Sequence, residues 1–190
     1  IGQAAISIED DQFYSHHGFR VKSLIRAVWS NVFKKDGPTQ GGSTITQQVV
    51  KNTLLTKDRT LSRKIKEMII AIRLEQKLTK DELLEIYLNE APYSGNVYGV
   101  EEASIVYFKK HAKDVTIAEA AYLASIPQAP THYDPNGPNK SELDGRADYV
   151  LKRMHEFGYI NYDEYQTALN EEVVFVSKAQ SAIKAPHFVF

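Results

Sequence analysis

LSRKIKEMIIAIRLEQKL, residues 61–78, spaces its apolar side chains three and four apart: Leu61, Ile65, Met68, Ile69 and Ile72. That spacing follows the 3.6-residue turn and predicts a long helix with a wide apolar face. The run IIAI at 69–72 is apolar nearly all round, which predicts a central helix rather than a peripheral one. Within it, Glu67 stands four residues after Arg63 and three after Lys64, so the three share one face. An ordinary surface ion pair of this kind contributes only about 0.3–0.5 kcal/mol. The other reading starts from the neighbours: a carboxylate one residue from Met68 and two from Ile65 borders the apolar face, where a charge needs a reason to be.

Outward from this helix, GGSTITQQ at 41–48 places two glycines before Ser43 and Thr44. The Thr44/Gln47 pair fits a capping box, and free N–H groups at such a helix start attract anions. Lys51 falls one turn past Gln47, and Arg59, Arg63 and Lys64 follow within the 14 residues 51–64. Together they can compensate a diphosphate. Further out, ISIEDDQFYSHHGFRVKSL at 6–24 sets Glu9, Asp10 and Asp11 beside Phe13, Tyr14, His16 and His17. Such a run is either a solvated surface or the setting of a carboxylate tuned for proton transfer. Glu9 and Glu67 come from distant segments, and two carboxylates flanking a glycosidic bond are the usual acid/base equipment of sugar chemistry. Cations beside them point to a phosphate leaving group.

The rest of the chain reads as further helices near 80–89, 100–110, 117–126, 142–156 and 162–169, with Thr116/Glu119 a capping box and Pro127 a stop. EVVFV at 172–176 reads as a strand. Residues 20–35 form an amphipathic helix flanked by Lys22, Arg26, Lys34 and Lys35, either docked on the core or lying at a membrane surface. DGPTQGG at 36–42 is a loop. Tyr87 and Asn89 are expected to hold the loop after their helix through buried hydrogen bonds. The fold class is therefore mainly α, and the absence of βαβ alternation or a long repeat excludes a doubly wound nucleotide-binding fold.

A chain of 190 residues with 43% hydrophobic content can bury roughly 70% of its unfolded surface in one core. Its 23 basic and 24 acidic side chains nearly cancel, which excludes the strong positive field of a nucleic-acid binder. With no cysteine, disulfides and thiolate metal sites are excluded. His16 and His17 point apart and no HExxH spacing occurs, so no protein-held catalytic metal is expected. No window reaches the roughly 18 apolar residues of a membrane span. Beginning at Ile1 and ending in APHFVF, the chain reads as a segment of a larger protein.

Together these pieces resemble the glycosyltransferase domain of bifunctional (class A) penicillin-binding proteins and monofunctional peptidoglycan glycosyltransferases. The likeness runs through five separated motifs over nearly the whole chain. EDxxFxxHxG falls on Glu9, Asp10, Phe13, His16 and Gly18, and GxSTxTQQ on Gly41, Ser43, Thr44, Thr46, Gln47 and Gln48. RKxxE is Arg63, Lys64 and Glu67, and a Lys-led helix closing in YLN is Lys80 with Tyr87, Leu88 and Asn89. The fifth motif departs: the family's paired arginines before VLxxM are here Arg146 and Ala147, followed by Val150, Leu151 and Met154.

The resemblance implies a lysozyme-like, two-lobed fold with a small membrane-proximal jaw. It implies a glycosyltransferase domain over 1–176, with 177–190 beginning a linker to a C-terminal transpeptidase domain. The implied reaction polymerises lipid II into glycan strands with inversion at the anomeric carbon, releasing undecaprenyl diphosphate. Glu9 would be the general base and Glu67 the donor-side carboxylate. Ser43, Thr44, Gln47, Lys51, Arg59, Arg63 and Lys64 would hold the donor, while Asp10, Phe13, His16, Gly18, Tyr87 and Asn89 would be structural. No cofactor is obligatory, although Mg²⁺ or Mn²⁺ could accompany the diphosphate. The implied partners are lipid II, the growing glycan and the membrane surface. The implied location is the extracytoplasmic face of the bacterial membrane, reached through an N-terminal anchor outside this segment. A lysozyme-type lytic glycosidase and a silent cell-wall or membrane-binding module are the competing readings.

Overall fold

The computed structural model describes residues 1–20, 42–53 and 61–176. The amphipathic segment past Arg20, most of the 36–42 loop, Arg59 and the linker at 177–190 lie outside the described residues. The chain is mainly α, as its periodicity predicts. It divides into two compact units, one formed by Gly2 and Ala4–Ala91, the other by Pro92 onward with Ile1 and Gln3.

The first unit contains α1 (Gly2–Glu9), α2 (Ile45–Thr53), α3 (Leu61–Glu75) and α4 (Lys80–Glu90). Helix α2 packs on both α3 and α4. Helix α1, which periodicity alone does not reveal, buries Ala4, Ala5, Ile6 and Ser7 and delivers Glu9 at its C-terminal end. A capping box of Thr79 and Glu82 starts α4, satisfying N–H groups that the first turn leaves without intrahelical partners.

The expectation that α3 is apolar and buried nearly all round is corrected here. Ile65 is 48% exposed and Ile69 44%, while the buried positions are Glu67 and Ala71. The reason is a close approach by the loop after α1. Gly18 has φ +89°, and a Cβ there would stand 2.9 Å from the Ala71 carbonyl carbon and 3.0 Å from its oxygen. Position 18 must therefore be glycine for the loop to pack on the α3 backbone, and Ile65 and Ile69 lie on the exposed side of the helix. Gly18→Ala is expected to destabilise the fold by roughly 2–5 kcal/mol, summing about 1–2 for a left-handed non-glycine and about 1–3 for overpacking. A urea titration checks this through a lower midpoint at unchanged slope.

The second unit holds α5 (Val100–Phe108), α6 (Ile117–Ser125), α7 (Lys140–Glu156) and α8 (Tyr162–Leu169). Helix α7 packs on α6 and α8. Capping boxes at Thr116/Glu119 and Asn161/Glu164 start α6 and α8. Helix α5 ends at Phe108, short of the predicted 110, because Lys109 turns left-handed at φ 57°.

The fifth-motif residues Ala147, Val150, Leu151 and Met154 are the buried face of α7. Arg146 donates from Nε to the Ser125 carbonyl at 3.0 Å, so this segment is core-forming.

The predicted strand at 172–176 has no partner strand: among the described residues only an isolated Pro92–Tyr98 bridge occurs. The segment is extended nonetheless. Val176 donates its N–H to the Tyr107 carbonyl at 2.9 Å, and the Phe175 ring packs on Tyr122, Phe108 and Tyr107. Alternation there reported an inward aromatic, not a ladder.

Tyr87 is buried, but Asn89 is exposed, which corrects its expected role in buried hydrogen bonds. The loop after α4 is held instead by Ser94, whose N–H donates to Tyr107 Oη at 3.2 Å and whose Oγ donates to Asp134 Oδ2 at 2.5 Å.

Candidate active site

All the described candidates for chemistry belong to the first unit. Glu9, at the end of α1, accepts a hydrogen bond at Oε2 from Gln48 Nε2 at 2.7 Å. Gln48 lies on the first turn of α2, so the position of that helix orients the carboxylate. One turn further on is Lys51, which reaches solvent although enough protein crowds its ammonium that burial lowers its pKa. The charges acting on it are Glu67 and Glu9, which pull the pKa up, and Lys64 and Arg63, which push it down. Five charged groups from α1, α2 and α3 thus share one electrostatic neighbourhood.

Glu67 is 1% exposed, which excludes the surface ion pair. Its Oε1 accepts from Lys64 Nζ, and Lys64 also donates to Ser43 Oγ at 2.7 Å. Ser43 is thereby tied to α3 across 21 positions of sequence.

The start of α2 is closed. Thr44 Oγ1 accepts from the Gln47 N–H at 3.1 Å and Gln47 Oε1 accepts from the Thr44 N–H at 3.0 Å, the reciprocal bonds of a capping box. The Ile45 N–H donates to Asp10 Oδ2 at 3.0 Å. The expectation of free N–H groups open to an anion is therefore corrected. The helix terminus already has its negative charge in the buried Asp10 carboxylate.

Asp10 is 1% exposed and also meets His16 Nε2 at 2.7 Å. Since the Gly18 N–H donates to His16 Nδ1 at 3.1 Å, the hydrogen-bond pattern assigns the ring proton to Nε2, donated to Asp10. Thr44 Oγ1 donates to the Gly18 carbonyl at 2.8 Å. Phe13 is fully buried, with Lys80 Nζ 4.7 Å from its ring centroid. Asp11, by contrast, pairs with Arg20 at 2.9 Å.

The structure thus brings Glu9, Glu67, Ser43, Lys51, Arg63 and Lys64 together and places Asp10, Phe13, His16, Gly18, Thr44 and Gln47 in the frame around them. Sequence reasoning named Gln48 and Lys80 only as motif positions, without a role, and left out Glu75. The available signal was helical register: Glu75 stands eight residues after Glu67, two turns along the same ridge of α3.

Among known proteins, the family described as Transglycosylase matches residues 1–155. The chain is 46% identical to penicillin-binding protein 1F of Bacillus subtilis over 95% of its own length and 25% of that protein. It is 43% identical to penicillin-binding protein 1A of Pseudomonas aeruginosa over 90% of itself and 20% of the relative. A crystal structure of penicillin-binding protein 1A from Haemophilus influenzae aligns with TM-score 0.47 and 34% identity, over 53% of this chain and 15% of that one. The chain spans a fifth to a quarter of the length of these curated relatives. With a family match over most of its residues, the chain belongs to the transglycosylase family of peptidoglycan glycosyltransferases.

Proposed function

We propose that the domain polymerises lipid II, the polyprenyl-diphosphate-linked disaccharide-pentapeptide, into glycan strands. Glu9 takes the proton from the 4-hydroxyl of the acceptor's N-acetylglucosamine as that oxygen attacks C1 of the growing chain. Attack from the face opposite the leaving group inverts the anomeric carbon, and undecaprenyl diphosphate departs with the bonding electron pair. Lys51, Arg63, Lys64 and Arg59 hold the diphosphate, with Ser43 positioned by Lys64. Thr44 and Gln47 frame the donor side by fixing the turn that presents Ser43. Preplaced cations of this kind stabilise charge that develops in the transition state. The single observation that carries the reading is geometric: Lys64 bonds both the buried Glu67 and Ser43, while α2, which carries Lys51, supplies the Gln48 amide that holds Glu9. Cutting a neutral glycosidic bond releases no anionic leaving group for a cluster of cations to stabilise, which disfavours the lytic reading.

Among the described residues no group of three His, Cys, Asp or Glu side chains lies together as a metal cage, and Glu67 is bonded to Lys64. A divalent ion accompanying the substrate would therefore be held chiefly by diphosphate oxygens, where it would add Lewis-acid stabilisation of the leaving group.

No helix among the described residues is long and apolar enough to cross a membrane. The proposed setting is the outer face of the bacterial membrane, where a lipid-linked substrate is presented. The proposed parent protein carries an N-terminal anchor and a C-terminal transpeptidase domain.

The test is incubation of the purified chain with labelled lipid II in detergent. Polymer is the expected product; degradation of finished glycan without polymer would favour the lytic enzyme, and neither activity in folded protein would favour a binding module.

A pH prediction follows from Lys51. Its lowered pKa means the free enzyme loses that cation as pH rises, before the ordinary lysine range of about 10.4. The alkaline limb of kcat/KM should therefore lie below that range, and the limb of kcat higher, because bound diphosphate favours the ammonium. Lys51→Arg should move the kcat/KM limb upward; an unmoved limb assigns it to another group.

A further inference from the structure

Glu75, the last residue of α3, is a buried junction that the reaction as described does not use. Its Oε1 accepts from Thr46 Oγ1 at 2.6 Å and from Lys80 Nζ at 2.7 Å, and stands 3.7 Å from His16 Nδ1. Its side chain is 5% exposed, and Oε2 is buried without a hydrogen-bond partner. A buried charge pair with an unsatisfied oxygen is a poor way to add stability, since well-packed apolar residues generally serve as well or better.

What the arrangement supplies is position. Thr46 lies on the first turn of α2, two residues before Gln48, whose amide holds Glu9. Lys80 stands 3.4 Å from His16 Nδ1. His16 in turn donates to Asp10, the residue next to Glu9 and the acceptor for the Ile45 N–H. Both routes from one carboxylate end at Glu9, one through its hydrogen-bond donor and one through its chain neighbour.

We propose that Glu75 is a positioning residue for glycosyl transfer: through Thr46 and through Lys80, His16 and Asp10, it holds the Glu9 carboxylate in register with α2 and Lys51. This rests on the reading of Glu9 as the base.

The test is steady-state polymerisation of lipid II by wild type, Glu75→Gln, Lys80→Met, the charge-balanced Glu75→Gln/Lys80→Met pair and Thr46→Val, each with its thermal midpoint. Misplacing a reacting group by about 1 Å can cost about 10²-fold in rate. Glu75→Gln should therefore lower kcat about 10- to 100-fold with KM changed less than about threefold. The double variant should recover thermal midpoint lost by the single variants but leave kcat at least about tenfold down. Thr46→Val should lower kcat in the same direction by a smaller factor. Wild-type kcat in Glu75→Gln, a raised KM at unchanged kcat, or kcat recovering together with the midpoint in the double variant would each overturn the proposal. If Glu75→Gln does not fold, an undiminished kcat in folded Thr46→Val does so. A wild type that makes no polymer instead removes the Glu9 reading on which the proposal stands, whereas an active wild type with unaffected variants removes the proposal alone.

Discussion

Glu9→Gln is expected to stop polymer formation, lowering the rate by about 10² to 10⁴-fold, the usual contribution of a positioned general base. The substitution keeps the size and shape of the side chain and removes only its ability to take up a proton. Glu9 is partly exposed at the end of α1 and accepts a hydrogen bond from the Gln48 amide; an amide oxygen at the same place accepts that bond equally well. The variant should accordingly keep its circular dichroism spectrum and thermal midpoint. Asp10→Asn gives the contrasting result. Asp10 is buried and serves both His16 and the first N–H of α2, so its loss should show as reduced stability, with activity lost through unfolding. A folded Glu9→Gln variant polymerising at the wild-type rate would remove the base assignment.

Lys51→Met is the second large effect. Removing one preplaced stabilising group typically costs about 10² to 10³-fold in rate, and both carboxylates, Glu67 and Glu9, act on the Lys51 ammonium. Its effect on folding should have the opposite sign. Burial holds the folded pKa below the unfolded value, so the unfolded chain binds more protons between those two pH values and stability rises with pH there. At neutral pH the charged lysine is therefore a cost to folding, and Lys51→Met should match or exceed wild type in thermal midpoint while losing activity. Loss of both together would mean that Lys51 is structural. Combined with Lys64→Met the activity losses should fall short of multiplying, because cations acting on one diphosphate behave as a unit.

The helices of this fold were legible wherever a capping residue and an apolar period coincided, as at Thr44, Thr116 and the 162–169 segment. Helix α1 was not, because its buried face is alanine and serine as much as isoleucine and gives no amphipathic contrast. The isoleucines of α3 misled for the opposite reason. Periodicity counts apolar positions, while the buried side of α3 is the one whose backbone at Ala71 lies against Gly18. In the site, residue types and spacing pointed to Glu9, Glu67 and the cations. They could not show that the Thr44, Ile45 and Gln47 N–H groups are already taken by Gln47, Asp10 and Thr44 side chains, because Asp10 lies 35 residues from the Ile45 N–H that donates to it. Long-range closure of this kind is a property of packing, and local sequence carries no trace of it.

The most direct test of the account is to follow, in one reaction, the release of polyprenyl diphosphate from lipid II and the growth of β-linked glycan, for wild type beside folded Glu9→Gln. The account predicts one diphosphate released per disaccharide joined by wild type, and neither product from Glu9→Gln. Polymer formed by Glu9→Gln at the wild-type rate, or wild-type protein that cleaves glycan and releases no diphosphate, would contradict it.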